Sequence, residues 1–563
     1  MGAAGKLQTQ TEEFWRSEYQ VSEADIDLVT SQILENGRPM KMGALASAVI
    51  LRRYQREREA AALHAKSGDV YQPLGSYQVG QRLLFTEYEF TTGRVAALRP
   101  GHNPKYGAFN VIQVQFDADL PDTEFVCDFP YPHPLNRPAE ELLGRSDDSL
   151  SETDLVSAYS GLVIPKIEAV LNGNSDFVIF DEMWFLRELL PDMHVGFLNL
   201  AEALIDQGGH PLAAREILAD LDLQLTASPE AQLFTLNLAL GRDERFVNVS
   251  LDENPVWFLR ALMPAAVFIR PAVLEPVMRT TGGEYIGSTL LEQIEEIGDE
   301  LDNVLNVRSQ NGDVHIELPF PHLVSGTLPA SKAVLDLFPA TQAKYVPVTL
   351  LENRANTLVN AWLCPAEGYI CGLSDWYKKT GICVGAVITL TKADAPLTLG
   401  LSVTPIRGKK PEWICSATVN EGVLVLRNQR TSLEVKADRN MVIDIPDPQV
   451  IIAQMVETEA TGTPLSTIVY HVFEELAKQS SKGGLVHAKS VYSAVNLVRR
   501  CGAVPVFSEL TRRACFDPVG GGDWALDPSL QKTTYQTPEE MFERPLSNRR
   551  DTVKDPVIQY GRN

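Results

Sequence analysis

Few residues of this chain have the types and spacing that catalysis or metal binding requires. His471 shares a predicted helix with Glu474 and Glu475, a spacing that suits a structural hydrogen bond or a pair of metal ligands. The adjacent acids Asp181-Glu182 and Asp243-Glu244 would not face one another on a helix. The chain has no Walker, Gly-x-Ser-x-Gly or His-Glu-x-x-His motif. We therefore predict a protein that is not an enzyme and that binds neither a cofactor nor a metal.

Three consecutive glycines near the end of the chain raise the question of a phosphate-binding loop. Gly520 to Gly522 stand in FSELTRRACFDPVGGGDWALD, residues 507 to 527. No Gly-Lys-Ser/Thr follows them, and Asp523-Trp524-Ala525-Leu526 suits a strand better than a phosphate-binding helix. The pattern predicts the turn of a β-hairpin.

Pairs of arginines end two predicted helices in the same segment. Arg499 and Arg500 end the second helix, and Arg512 and Arg513 end the short third helix. In a winged helix the third helix usually enters the DNA major groove, and arginine suits both phosphate and guanine. We predict that these four arginines bind DNA if they form one exposed patch. Cations at helix C-termini also complement the helix dipole, and the sequence leaves that alternative open.

A second set of basic residues lies in a β-rich segment. Two predicted loops there carry the candidate DNA contacts Trp376, Lys378, Lys379, Arg407, Lys409 and Lys410. Two basic loops on one β-domain could grip a nucleic-acid backbone, unless they point in opposite directions.

The totals describe a multidomain chain with an acidic centre. With 563 residues it is too long for one hydrophobic core. Its net charge of −23 is unusual for a nucleic-acid binder. Residues 135 to 265 hold 22 Asp and Glu against 8 Lys and Arg, whereas 463 to 535 hold 6 against 8. No membrane span or signal peptide is evident, so we expect a cytoplasmic protein.

Hydrophobic periodicity and turn residues predict an α+β multidomain fold, in which winged-helix-like units alternate with small all-β barrel or sandwich domains. The predicted segments are an N-terminal helical, winged-helix-like unit (1–66), a small β-barrel (74–136), an acidic winged helix (150–265), a helical connector (284–308), a β-barrel (313–447), a C-terminal winged helix (463–530) and a polar tail (531–563).

The central segment carries a family resemblance. Residues 194 to 260, with LAEALIDQGGHPLAAREILADLDL, FTLNLALGRDERFVNV and VWFLR, resemble the HARE-type winged-helix family, which includes the N-terminal domain of the bacterial RNA polymerase delta subunit. The resemblance implies a role in transcription or DNA-linked processes. Because the third helix here, Glu230 to Leu240, has no basic residue, it favours contact with a protein, with RNA polymerase as a candidate.

The pattern of predicted strands and loops in residues 313 to 445 is similar to that of DNA-binding pseudobarrels. Within it, GYICGLSDWYKKTGICVGAVITL is predicted to form a strand, a loop and a second strand. We therefore predict a non-enzymatic DNA-associated protein acting in transcription or DNA-linked regulation. The C-terminal winged helix and the β-barrel would contact DNA, and the acidic centre would contact a protein. The alternative is an acidic scaffold or polymerase-associated protein that binds no nucleic acid. The sequence identifies no small-molecule ligand.

Overall fold

The computed structural model describes residues 7–67, 69–88, 91–117, 120–137, 150–221, 227–276, 283–302, 312–341, 343–408, 410–544 and 555–560. The chain divides into two compact units. Unit 1 holds residues 1–200 and 214–242, and unit 2 holds residues 201–213 and 243–563.

Unit 1 is built on an α-β-α-α-β-β order whose two halves are far apart in sequence. Its elements are α1 (Glu23–Asn36), β1 (Met40–Lys41), α2 (Met42–Ser67), α3 (Glu152–Asn172), β7 (Phe177–Phe180) and β8 (Met183–Leu186). The three strands form one sheet in the order β1-β8-β7. A single core joins these elements, so the predicted segment 1–66 shares it with residues of the predicted segment 150–265 as far as Leu238.

Local signals explain the ends of α1. Ser22 and Asp25 form a capping box at its start, which satisfies free backbone N–H groups. Gly37 ends it with φ +58°, a left-handed conformation that glycine adopts without a Cβ clash. The following strand β1 then pairs with β8, Met40 opposite Trp184.

A five-stranded sheet is inserted between α2 and α3, and all of its strands except the first lie within the predicted small β-barrel segment (74–136). It runs in the order β2-β3-β4-β5-β6. Its strands are β2 (Asp69–Val70), β3 (Arg82–Phe85), β4 (Thr91–Pro100), β5 (Asn110–Phe116) and β6 (Thr123–Cys127).

The central segment repeats the order of elements found in unit 1. It contains α4 (Val195–Gly208), β9 (Leu212–Ala213), α5 (Ala214–Leu221), α6 (Pro229–Arg242), β10 (Phe246–Asn248) and β11 (Val256–Leu259). The strands again pair with the first strand next to the last, in the order β10-β11-β9. Helices α5 and α6 belong to unit 1, and the three strands belong to unit 2.

A short sequence repeat marks the two hairpins as equivalent. Trp-Phe-Leu-Arg-x-Leu-x-Pro occurs at residues 184–191 and again at 257–264. In each copy the arginine Nε donates to a backbone carbonyl just before the first hairpin strand: Arg187 to Ser175 at 2.6 Å and Arg260 to Glu244 at 3.1 Å. The same residue types therefore close the same hairpin twice.

Unit 2 contains a seven-stranded, nearly closed, barrel-like sheet in the order β13-β18-β19-β15-β16-β17-β14. Its strands are β13 (Asp313–Glu317), β14 (Thr327–Pro329), β15 (Val346–Glu352), β16 (Thr357–Cys364), β17 (Tyr369–Cys371), β18 (Val387–Lys392) and β19 (Thr398–Val403). Helices α8 (Phe320–Ser325), α9 (Lys332–Leu335) and α10 (Ser374–Thr380) lie in its connections. The β-barrel prediction for this segment is confirmed at this level.

A long hairpin follows the barrel-like sheet. Strands β20 (Glu412–Asn420) and β21 (Val423–Thr431) pair along nine residues, and β22 (Ile443–Asp444) pairs with β20. Helix α11 (Pro448–Ala460) comes next. One face of the hairpin, including Ala417, Leu424 and Leu426, packs into the core that continues through the C-terminal segment.

The C-terminal segment has the α-β-α-α-β-β order for a third time. Its elements are α12 (Leu465–Gln479), β23 (Val486–His487), α13 (Ala488–Val495), α14 (Ala503–Arg512), β24 (Phe516–Gly520) and β25 (Asp523–Leu526), with the strands in the order β23-β25-β24. The glycine turn prediction is confirmed, because Gly520 to Gly522 have positive φ between two paired strands.

The predicted connector and tail also join the C-terminal core. In the connector, β12 (Tyr285–Gly287) and α7 (Leu291–Ile297) contribute Ile286, Ile294 and Ile297 to it. In the tail, α15 (Pro538–Phe542) precedes β26 (Val557–Gln559), which pairs with β12. Among the ranges given above, no helix is both long and apolar enough to cross a membrane.

Candidate nucleic-acid interface

Arg499 and Arg500 are buried, which contradicts their predicted place in an exposed DNA-binding patch. The Arg500 side chain is 1% exposed and binds Asp299 through both terminal nitrogens, at 2.7 and 2.6 Å. It also contacts Glu300 at 2.8 Å. The Arg499 Nη1 donates to the Thr463 carbonyl oxygen at 2.6 Å. Both guanidinium groups therefore stabilise the fold, because protein acceptors already hold them.

The carboxylate side of this network is also out of contact with solvent. Glu300 accepts from Arg500 and lies 3.1 Å from the His322 Nε2, while the His322 Nδ1 lies 2.8 Å from the Thr327 hydroxyl. Burial alone would raise the pKa of Glu300, but Arg500 and His322 hold it below its ordinary value. The acids thus keep the buried arginine ionised and hydrogen-bonded.

Arg512 and Arg513 lie at the end of α14, and both bind the same carboxylate. Glu509 is 3.6 Å from Arg512 and 2.9 Å from Arg513. The helix itself is buried along almost its whole length, from Ala503 to Thr511, apart from Glu509. A helix packed in this way cannot enter a major groove. The predicted patch of four arginines is therefore wrong, and the DNA contact of Arg512 and Arg513 stays a prediction.

The barrel-like sheet brings its two predicted basic loops to one side. Lys378 and Lys379 are exposed at the end of α10, while Trp376 on the same helix is 6% exposed and packs in the core. Trp376, Lys379 and Ile406 line one cleft of about 460 Å³. Because Ile406 precedes Arg407, the second basic loop begins at this cleft. Trp376 is thus a buried core residue and not an exposed DNA contact.

The second basic loop leads directly into an exposed tryptophan. Arg407 and Lys410 are exposed, and Lys409 lies outside the described residues. Two residues after Lys410, strand β20 begins, and its second residue, Trp413, is 71% exposed. The pattern WICSATV predicts only a strand, although the adjacent RGKKPEW carries cations and an aromatic ring together.

Trp413 stands at the edge of a larger cleft. The cleft has a volume of about 950 Å³ and lies between the β20–β21 hairpin and the end of α12 with the following turn. Its polar lining includes three cations, three amides and three carboxylates: Lys436, Arg439, Lys482, Asn428, Asn440, Gln479, Glu412, Asp438 and Asp523. Ile406 lines this cleft as well as the smaller one, so the loop that starts there separates the two.

Ion pairs restrict which of these cations are available to a ligand. Arg439 contacts Glu412 at 3.0 Å, and Lys482 contacts Asp523 at 2.7 Å. In the part of the chain that the structure describes, Arg430 and Lys436 have no such ion pair and are exposed. Arg430 lies directly opposite Trp413 in the hairpin.

The remaining third helices offer no basic surface. On α3 the exposed residues include Glu152 and Asp154, and its Lys166 donates to the backbone oxygens of Trp15 and Tyr19. Helix α6 has a single cation, Arg242, in its last turn. Among the described helices in third position, none presents a cationic face, so phosphate contact is favoured at the barrel side.

The surroundings of the two acidic pairs, Asp181-Glu182 and Asp243-Glu244, indicate structural roles. Asp181 and Glu182 both have positive φ and form the turn between β7 and β8. Asp243 binds Arg245, which lowers the pKa of the carboxyl. Over the described ranges, no three His, Cys, Asp or Glu side chains gather as metal ligands. The absence of an enzymatic activity stays a prediction.

The chain matches no protein-family model, and neither the curated proteins nor the solved structures contain a match to it. The resemblances to HARE-type domains and to pseudobarrels therefore stay predictions.

Proposed function

We propose that this chain is a non-enzymatic, DNA-associated protein of transcription or DNA-linked regulation, which binds DNA through the barrel side of unit 2. The binding surface, called here the basic face, consists of Lys378, Lys379, Arg407, Lys410, Trp413, Arg430 and Lys436. The C-terminal helix α14 is omitted from the proposal because the arginines at its end pair with Glu509.

The observation that supports the proposal is the coincidence of cations with an exposed aromatic ring. Residues 405 to 440 hold seven Lys and Arg against four Asp and Glu, in a chain with a net charge of −23. A local excess of cations is what phosphate binding requires, whatever the total charge. Exposed aromatic rings within such a face supply base contacts that cations alone do not.

We further propose that the three α-β-α-α-β-β repeats are winged-helix domains used for protein contact. The support is their shared strand order, with the first strand beside the last, and the lack of a cationic third helix in each. The acidic excess within residues 135 to 265 suits a partner with basic surfaces, such as RNA polymerase. The resemblance of residues 194 to 260 to HARE-type domains points in the same direction.

The proposal is tested by fluorescence anisotropy of labelled DNA, single-stranded and duplex, at low and near-physiological salt. Binding that weakens steeply with salt is expected, because phosphate neutralisation releases counterions. Absence of binding to both DNA forms at low salt would contradict the proposal. In that event the acidic scaffold becomes the better hypothesis, since the net charge of −23 and the 22 acids within residues 135 to 265 favour it.

A further inference from the structure

One tryptophan of this chain is exposed while the other six are buried. The side chain of Trp413 is 71% exposed, whereas Trp15, Trp184, Trp257, Trp362, Trp376 and Trp524 are at most 6% exposed. Tryptophan is the largest apolar side chain, and leaving it in water forfeits the free energy of burying its rings. An exposed tryptophan beside a cleft therefore indicates a surface that binds something.

The faces of the Trp413 indole ring are open in the described part of the chain. In the described part of the chain, neither an aromatic side chain nor a guanidinium packs on it. Its backbone is held on a paired strand, opposite Arg430, in a ladder of nine cross-strand pairs. A ring on a rigid hairpin is a preorganised surface for stacking.

The surroundings of the ring match a nucleotide better than an apolar protein surface. Lys436 and Arg439 line the cleft beside it, and Arg430 stands across the hairpin. The amide of Asn440 lines the cleft as well, and so do Asn428 and Gln479, which hydrogen-bond to each other. The exposed Lys436 and Arg430, which have no ion pair in the described part of the chain, suit phosphates, and the Asn440 amide suits a base edge. A purely hydrophobic partner would bury these polar groups without a hydrogen bond.

We infer that Trp413 is a stacking platform for a base of single-stranded DNA, whose backbone the neighbouring cations bind. This inference rests on the proposed function and specifies the form of DNA. A duplex hides its base faces within the stack, and only an unstacked base can lie on the indole without the cost of opening the helix. The cleft of about 950 Å³ beside the ring has room for more than one nucleotide.

The test compares a labelled oligothymidine of about 16 nucleotides, within the usual site size of single-strand binders, with a duplex of the same length. The variants are Trp413→Ala, Trp413→Phe and, as a control, Val423→Ala, which removes another exposed apolar side chain (62% exposed) from the far end of the same hairpin. We expect Trp413→Ala to raise the Kd for the single strand by about tenfold, with a smaller effect on the duplex, and Trp413→Phe to recover most of the loss. Val423→Ala should leave both affinities unchanged.

Three results would overturn the inference: equal losses for single strand and duplex, no loss with Trp413→Ala, or binding of duplex alone. Binding of neither DNA form by the wild-type protein at low salt would instead contradict the proposed function itself. A second readout is intrinsic fluorescence, in which single-stranded DNA should quench an emission component that disappears in Trp413→Phe. Quenching that persists in Trp413→Phe would also count against stacking on this ring.

Discussion

Arg500 and Asp299 form a bidentate ion pair with both side chains almost completely buried, at 1% and 0% exposure. The pair joins residues 201 positions apart and ties the segment containing α7 to the connection between α13, which ends at Val495, and α14. Its position explains why Arg500 is not available to DNA. The ion pair holds together the core against which α14 packs.

Removing Arg500 should therefore destabilise unit 2 strongly. Arg500→Ala leaves the buried carboxylates of Asp299 and Glu300 without their cation, and we expect a loss of about 3–5 kcal/mol in the free energy of unfolding. Arg512→Ala is the control, since that side chain is 42% exposed and should change stability by less than about 0.5 kcal/mol. Urea unfolding followed by tryptophan fluorescence measures both. Similar losses in the two variants would show that the buried network does not stabilise the core.

A second buried group should make stability depend on pH. Glu317 is 2.7 Å from the Lys489 ammonium, but burial raises the pKa of its carboxyl to about 7 from an ordinary value of 4.5. Between these two values the folded protein binds a proton that the unfolded chain has released. The contribution of Glu317 to stability is thus full below about pH 4.5 and falls as the pH rises to about 7.

The glutamine variant isolates this effect from the other titrating groups. Wild-type stability minus Glu317→Gln stability should decrease by about 1–3 kcal/mol between about pH 4.5 and 7. Chemical unfolding of both proteins across that pH range gives the difference. A flat difference, or one that increases with pH, would mean that Glu317 is ionised throughout.

Two glycines of unit 1 should respond in opposite directions to alanine. Gly37 has φ +58° at the end of α1, and a Cβ added there would meet no atom within 4 Å, so Gly37→Ala is opposed by backbone conformation alone. We expect a loss of about 1 kcal/mol. Gly161 is exposed within α3 and equally free of neighbours, so Gly161→Ala should raise stability by about 0.5–1 kcal/mol. Thermal unfolding should rank the two variants on either side of the wild type, and the reverse order would contradict the assigned helix ends.

We expect DNA affinity to depend less on salt when cations are removed from the basic face. Arg407→Ala together with Lys410→Ala removes two exposed cations, so the slope of log affinity against log salt should become less steep by about 2. Arg512→Ala with Arg513→Ala is the matched control, because both arginines bind Glu509, and its slope should stay at the wild-type value. Anisotropy titrations at several salt concentrations compare the pairs. A larger change in the control pair would indicate that DNA contacts the end of α14 rather than the basic face.

The patterns that the sequence predicted correctly are local ones. Gly520 to Gly522 form a hairpin turn as predicted, because glycine and strand-forming neighbours determine that conformation within a few residues. The helix-and-hairpin order of the C-terminal segment was likewise readable from Pro464, Gly483 and the apolar stripe between them. Whether these units are winged helices in function stays a prediction.

The errors concern residues whose surroundings come from distant segments. Arg499 and Arg500 looked exposed at a helix end, since nothing near them in sequence indicates the acids at 299 and 300. Trp413 was missed for the opposite reason. An aromatic residue in a strand pattern is usually taken as core, and only the folded hairpin leaves that end of β20 uncovered.

Lysine footprinting tests the proposed location of a DNA contact most directly. The protein is acetylated at low salt with and without single-stranded DNA, and modification of each lysine is measured by mass spectrometry. We predict protection of Lys379, Lys410 and Lys436, with unchanged modification of Lys532, an exposed lysine of the C-terminal segment. Binding of DNA without protection of these three lysines, or with stronger protection of Lys532, would contradict the assignment of the basic face.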